Sequence, residues 1–276
     1  MIIIIQCADQ TGLVSAITGV LAAKKLNIVS LREHVDQAET RFYMRLDVTE
    51  QFDTDLLEKE FHGVLPADAL ITINPLPDKK IAVLVTKEYH CLTDILVRNY
   101  FHSLGAAVSV VIGNHSTLAD ICKRFDIPFF MVSHEEKDKK TFEQEITTII
   151  RQYNPDYIVL AKFMRILSPD FIATFPMQII NIHHSFLPAF IGANPYRQAF
   201  DRGVKLIGAT AHFVTNDLDE GPIITQQTIP VNHSQLTAHM VKAGKEIETS
   251  VLGKALSLLF DDRVFVYKNK TVVFDW

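Results

Sequence analysis

Apolar positions recur along this chain in two successive regimes. The first opens on the β-branched run Ile2 to Gln6, a buried-strand signal, followed by the turn Asp9-Gln10-Thr11-Gly12. Leu13, Ile17, Val20 and Leu21 then fall at helical spacing and predict a helix to about Lys25. Asn27 opens a strand over Ile28 to Val35. A polar turn leads to Arg41 to Val48, where Phe42, Met44, Leu46 and Val48 alternate with outward positions. A second helix fits Thr54 to His62, and Ala69 to Ile73 supplies a last strand. The order βαββαβ suits a small antiparallel sheet with both helices on one face.

Asn74-Pro75-Leu76-Pro77-Asp78-Lys79-Lys80 punctuates the chain with two prolines and a charge run, so a module over 1–76 and a joint at 77–80 are expected. From there to residue 276 the pattern is different. Ile81 to Val85, Ala107 to Ile112, Phe129 to Val132 and Tyr157 to Ala161 are near-continuous apolar runs typical of buried parallel strands. Leu92 to Leu104, Ser116 to Arg124 and Thr141 to Tyr153 between them read as helices. Such alternation implies an open α/β sheet with right-handed crossovers. Strands over Gln178 to His183, Leu206 to Val214 and Ile223 to Ile229 follow, then a long helix over Gln235 to Phe260 and a hairpin over Val264 to Phe274.

Composition narrows the classes. With 48% hydrophobic and 21% charged residues, the chain buries a real core. A net charge of −5 and no Lys/Arg cluster argue against a nucleic-acid partner. Cys7, Cys91 and Cys122 are odd in number and unpaired in spacing, so reduced thiols are expected rather than disulfides or a zinc knuckle. The apolar start is too short for a signal peptide, and no run approaches the roughly 20 apolar residues of a membrane span. Cytoplasmic location is the expectation.

The chemistry concentrates in Asn181-Ile182-His183-His184-Ser185-Phe186-Leu187-Pro188, at the carboxyl end of a predicted strand, where open α/β sheets place ligands. Asn181 and His183 are two apart and share a face of that strand. An amide N–H can hold a carbonyl oxygen, and an imidazole can stabilise the oxyanion formed when that carbonyl is attacked. Taken alone, such a pair is more commonly a turn-forming Asn beside a solvated His. The acidic stretch Thr215-Asn216-Asp217-Leu218-Asp219-Glu220-Gly221-Pro222 changes that reading. A carboxylate delivered to His183 would orient the imidazole and favour its cation, and could orient an attacking water. Spacing leaves Asp217, Asp219 and Glu220 as alternatives. His90, His184 and His212 lack zinc-ligand spacing and read as structural, and no metal or permanently bound cofactor is expected.

The Asn181-x-His183 strand, the Ser185-x-Leu187-Pro188 turn and the Asp219-x-Gly221-Pro222 loop resemble the core of the folate-dependent formyltransferase family, over about Ile81 to Phe260. The resemblance implies a Rossmann-like formyltransferase-type domain with 10-formyltetrahydrofolate as substrate. It also selects Asp219 over its neighbours and makes Asn181, His183 and Asp219 the functional trio. Met164-Arg165-Ile166-Leu167 resembles the family segment whose backbone holds the folate pterin; without the family it would pass for a strand end packing the core.

Transferases of this family that act on a ribonucleotide amine carry a Gly/Ser-rich, phosphate-cradling loop after their first strand. Here Thr86-Lys87-Glu88-Tyr89-His90-Cys91-Leu92 has no glycine and places Glu88 there. The methionyl-tRNA branch carries a basic C-terminal domain for tRNA, and the negative net charge here makes a tRNA acceptor unexpected. Water is therefore the expected acceptor, as in the hydrolytic branch that yields formate and tetrahydrofolate for one-carbon and purine metabolism. That branch also matches Phe190-Ile191-Gly192-Ala193-Asn194-Pro195-Tyr196. The alternatives are transfer to an amine acceptor and a non-catalytic folate and amino-acid sensor.

The first module resembles an ACT domain, ferredoxin-like in fold, through Asp9-x-x-Gly12-Leu13 and Asn27. The resemblance implies an amino-acid effector near Asp9, Gly12, Leu13 and Asn27, and assembly into at least a dimer. On plain packing, Asp9 would cap the helix and Gly12 would turn the chain.

Overall fold

A computed structural model describes residues 1–73, 79–189 and 195–275. Residues 77 and 78 of the expected joint and 190–194 of the Phe190–Tyr196 motif lie outside them. The chain forms two compact units, the first built from 1–73 with 262–265 and 272–275, the second from 79–189, 195–261 and 266–271.

The first unit runs β1 (Ile2–Ala8), α1 (Leu13–Ala23), β2 (Ile28–Asp36), β3 (Arg41–Val48), α2 (Thr54–His62) and β4 (Leu70–Ile73). Its antiparallel sheet has the order β2-β3-β1-β4. Ile3, Ile5 and Cys7 alternate inward along β1 and meet Ile17 and Leu21 of α1 and Leu57 and Phe61 of α2, so both helices cover one face. Asp53 caps α2 by accepting from the Asp55 and Leu56 amides at 3.1 and 3.0 Å. The sequence reading places all of 81–276 in the second module. Residues 262–265 and 272–275 group with the first unit instead, because Phe265 packs edge-on against Tyr43 (5.5 Å between centroids) and against Phe274 (5.1 Å).

The second unit continues with β5 (Lys79–Val85), α3 (His90–Tyr100), β6 (Ala106–Gly113), a 3₁₀ turn at Ser116–Leu118, α4 (Ala119–Arg124), β7 (Phe129–Met131), α5 (Lys139–Tyr153) and β8 (Tyr157–Leu160). Then come α6 (Pro169–Thr174), β9 (Ile179–His183), α7 (Pro195–Arg202), β10 (Leu206–Phe213), β11 (Ile223–Pro230), α8 (Thr237–Phe260), and the hairpin strands β12 (Val264–Tyr267) and β13 (Lys270–Val273), which the two units share. The seven-stranded sheet has the order β11-β10-β9-β8-β5-β6-β7, parallel from β9 to β7 and antiparallel at β10 and β11.

Phe142, Ile146 and Ile150 of α5 and Phe171 of α6 pack on one face, against Ala82, Leu84, Val110, Ile112, Ile158 and Leu160. On the second face α8 contacts α3, α7, β9 and β10. The hydrophobic pattern does not predict helices α6 and α7. Ser168-Pro169 is nonetheless a legible start, with Ser168 Oγ accepting from the Phe171 amide at 3.2 Å. No helix among the described residues is long and apolar enough to cross a membrane. The three cysteines are free and buried.

Candidate active site

The chain switches direction between β8 and β5, and the loops beyond β8 and β9 border a cleft of ≈ 260 Å³. Asn181, His183, His184, His212, Asp219 and the 162–167 segment line it. The turn after β9 is held by Thr210, whose hydroxyl donates to the Ser185 carbonyl (2.8 Å) and accepts from the Leu187 amide (3.1 Å). Ser185 Oγ donates to the Ala189 carbonyl at 2.6 Å.

The acidic loop leaves β10 and returns at its own base, where the Phe213 amide donates to the Pro222 carbonyl at 2.9 Å. Only glycine fits beside that closure, since a Cβ on Gly221 would sit 1.9 Å from the Phe213 carbonyl oxygen. Asp219 itself is in the left-handed region, φ 59°. This fold-back carries its carboxylate to His183, with Oδ1 3.3 Å from Nδ1. Burial pushes the Asp219 carboxyl up, but the contact and charge of His183, with smaller contributions from His212 and His184, outweigh it and hold the group below the usual range. The other ring nitrogen of His183, Nε2, is buried and has no hydrogen-bond partner.

His212 fixes the amide. Its Nδ1 lies 2.8 Å from the Phe213 carbonyl, an acceptor only, so Nδ1 carries the hydrogen. Burial lowers its pKa and keeps it neutral, leaving Nε2 as an acceptor for Asn181 Nδ2 at 3.2 Å. One amide hydrogen of Asn181 is thereby engaged, and the other is left for a ligand oxygen.

Behind the cleft lies a buried charge network. Glu248, 1% exposed, meets His90 Nε2 at 2.8 Å and the Lys162 ammonium at 3.1 Å through Oε2, and accepts from the Tyr196 hydroxyl at 2.7 Å through Oε1. Burial pushes the Glu248 carboxyl up, but His90, Lys162 and Tyr196 more than reverse this and pull it down to about 2. Burial and Lys162 lower His184 to about 4, so it is a neutral imidazole. His90, Cys91 and Glu248 offer donor atoms within 4.8 Å of one another. However, the Glu248 oxygens are already engaged, and burial pushes the Cys91 thiol far up, away from the thiolate a metal needs. The cluster is a charge network rather than a metal cage.

Because the folded-state pKa of Glu248 is depressed, its stabilisation is present above the unfolded value and is lost as pH falls through about 4.5 toward 2. Glu248→Gln is expected to be less stable than the parent near neutrality by on the order of 3 kcal/mol, with the gap closing across that acid window. Urea denaturation at several pH values checks this. A gap that stays constant with pH would show that the carboxylate is not held by the network.

The formyl transferase family model matches residues 79–256 and the ACT domain model residues 1–65. The chain is 48% identical to the formyltetrahydrofolate deformylase of Escherichia coli K12, over 97% of its own length and 95% of the relative's. The chain belongs to the formyltetrahydrofolate deformylase family. A solved formyltetrahydrofolate deformylase from Pseudomonas syringae pv. tomato is 38% identical and superposes with a TM-score of 0.93, over 99% of this chain and 94% of that one. Glycinamide ribonucleotide transformylase 1 of Symbiobacterium toebii matches less closely, at 27% identity and a TM-score of 0.70 over 73% of this chain and 96% of its own.

In this deformylase-family chain the structure brings Asn181, His183 and Asp219 to one cleft and adds His212, which the sequence reading had as structural. The Met164–Leu167 segment borders the same cleft. Two of its amides are taken within the protein, Met164 N–H by Thr86 Oγ1 (3.0 Å) and Arg165 N–H by the Phe163 carbonyl (2.8 Å). Its capacity for a ligand therefore lies in Ile166, Leu167 and the carbonyls. Glu88, expected where a phosphate would sit, is paired with Lys245 at 2.6 Å.

The ACT-domain residues do not form one cluster within the chain. Asp9 donates its amide to the Thr40 carbonyl at 2.9 Å, and α1 has no side-chain cap. Gly12 begins α1 at φ 94°, and Leu13 is a core residue. Asn27 follows the far end of α1, about 16 Å of helix rise away. Its amide is donated to Glu50 at 2.9 Å.

Proposed function

We propose that the chain hydrolyses 10-formyltetrahydrofolate to tetrahydrofolate and formate, with residues 81–276, apart from the stretches 262–265 and 272–275 that group with the first unit, as the catalytic module, 77–80 as the joint and 1–76 as the regulatory one. The observation that carries this reading is His183, with Nδ1 held by Asp219 and Nε2 buried without a partner, in the cleft that Asn181 also lines. In this mechanism the folate lies along Met164, Arg165, Ile166 and Leu167, and the remaining amide hydrogen of Asn181 holds the formyl oxygen. Water polarised by Asp219 attacks the formyl carbon and gives its first proton to His183 Nε2, and charge builds on an oxygen that Asn181 and the now protonated His183 stabilise. The bond from carbon to N10 then breaks, N10 takes a proton from His183, and the second proton of water passes to solvent as formate leaves.

Purified protein given 10-formyltetrahydrofolate alone is expected to release formate and tetrahydrofolate in equal amounts. Turnover that begins only when an amine acceptor is added would replace hydrolysis with transfer. Cytoplasmic action, assembly into at least a dimer, and an amino-acid effector received at the Asp9–Gly12 turn belong to the same proposal. The assay repeated with amino acids, and the mass in solution by light scattering, test them.

A further inference from the structure

Lys162 is used by none of the steps above, yet its position is demanding. Its backbone is left-handed at φ 62°, a conformation glycine adopts freely and lysine at a cost. Its side chain is 9% exposed, borders the cleft that His183, His184 and Asp219 also line, and ends 3.1 Å from a Glu248 oxygen. Behind it His90, Tyr196 and Glu248 are all buried, so this wall is closed by an ion pair backed by hydrogen bonds.

Resting on the hydrolytic reading, we propose that Lys162, anchored by Glu248, is the specificity residue that restricts the nucleophile to water. Its side chain fills the space that an acceptor larger than water would need beside the trio. Its ammonium donates hydrogen bonds and accepts none, so it repels a protonated amine and cannot take a proton from one. Water, with two lone pairs, accepts from such an ammonium and still has a pair with which to attack. With Lys162 reduced to glycine, a neutral amine reaches the formyl carbon: the new carbon–nitrogen bond forms, the bond to N10 breaks, and one amine proton ends on N10. The products are an N-formyl amine and tetrahydrofolate, with no redox change.

The experiment supplies 10-formyltetrahydrofolate with O-methylhydroxylamine and measures formate and N-formyl-O-methylhydroxylamine. It compares the parent, Lys162→Gly and the double variant Lys162→Gly/Glu248→Gln, which leaves no unpaired buried carboxylate if the single variant fails to fold. The parent is expected to give formate with no more than a trace of the N-formyl product at every amine concentration. The glycine variants are expected to raise the N-formyl share by at least about tenfold, a usual scale for steric discrimination in a pocket. An equal share in parent and variants overturns the proposal, and so, without either variant, does a parent that makes the N-formyl product as fast as formate. A parent that releases no formate at all removes the hydrolytic reading and this proposal with it, a result separable from formate release with unchanged partition.

Discussion

Asp219→Asn is expected to lower kcat by about 10³–10⁴ while leaving folate affinity near that of the parent, by analogy with the loss when the carboxylate orienting a catalytic imidazole becomes an amide. In the proposed mechanism Asp219 has two tasks, holding His183 through Nδ1 and polarising water. The amide fails at both, since it carries no charge and can present N–H to an imidazole nitrogen that should itself donate. The carboxylate is depressed below its ordinary range, so it is ionised throughout the neutral region and no pH in that region rescues the variant. Folding is a separate matter, because the loop is closed by the Phe213–Pro222 hydrogen bond and Gly221 rather than by the carboxylate. Steady-state kinetics beside a binding titration with tetrahydrofolate provide the check. A variant within about tenfold of the parent would remove Asp219 from the chemistry.

The parts of this molecule that were legible in the sequence are those written locally. Strand β3 and helix α2 lie at the predicted positions, although Tyr43 and Arg45, outward in the alternation, are buried, and the two-residue period along β9 places Asn181 and His183 on one cleft. What alternation cannot carry is partnership across the sheet. His212 becomes a cleft residue only because β10 runs antiparallel to β9 and sets His212 opposite Asn181, and nothing within β10 announces that neighbour. Glu248 is harder still, reaching His90 across 158 residues and Tyr196 across 52. A buried glutamate on a long helix looks, in sequence, like any polar position of an amphipathic face. Helices α6 and α7, of six and eight residues, were too short to show a period, and only their opening prolines marked them. Selecting Asp219 among three acids needed the family resemblance. The fold-back that carries it to His183 depends on a backbone closure that residue type alone does not reveal.

Asn181→Ala is expected to cost about 10²–10³ in kcat, the loss of roughly 2.7–4 kcal/mol that follows removal of one oxyanion donor. The donor is aimed before substrate arrives: the Phe213 carbonyl sets the His212 tautomer, His212 Nε2 takes one amide hydrogen of Asn181, and the other is left for the formyl oxygen. A donor aimed in this way strengthens its bond as charge grows on that oxygen, so its removal should depress kcat far more than it raises KM. Asn181→Asp separates this from a packing effect. It keeps the side chain's size but replaces the donor with a negative charge facing a developing oxyanion, and should be at least as inactive as the alanine variant. Tetrahydrofolate, which has no formyl oxygen, should bind both variants as it binds the parent. If Asn181→Asp instead turned over at near-parental rate, the formyl oxygen would have to be held elsewhere, and the His212–Asn181 hydrogen bond would be no more than a stitch between two strands.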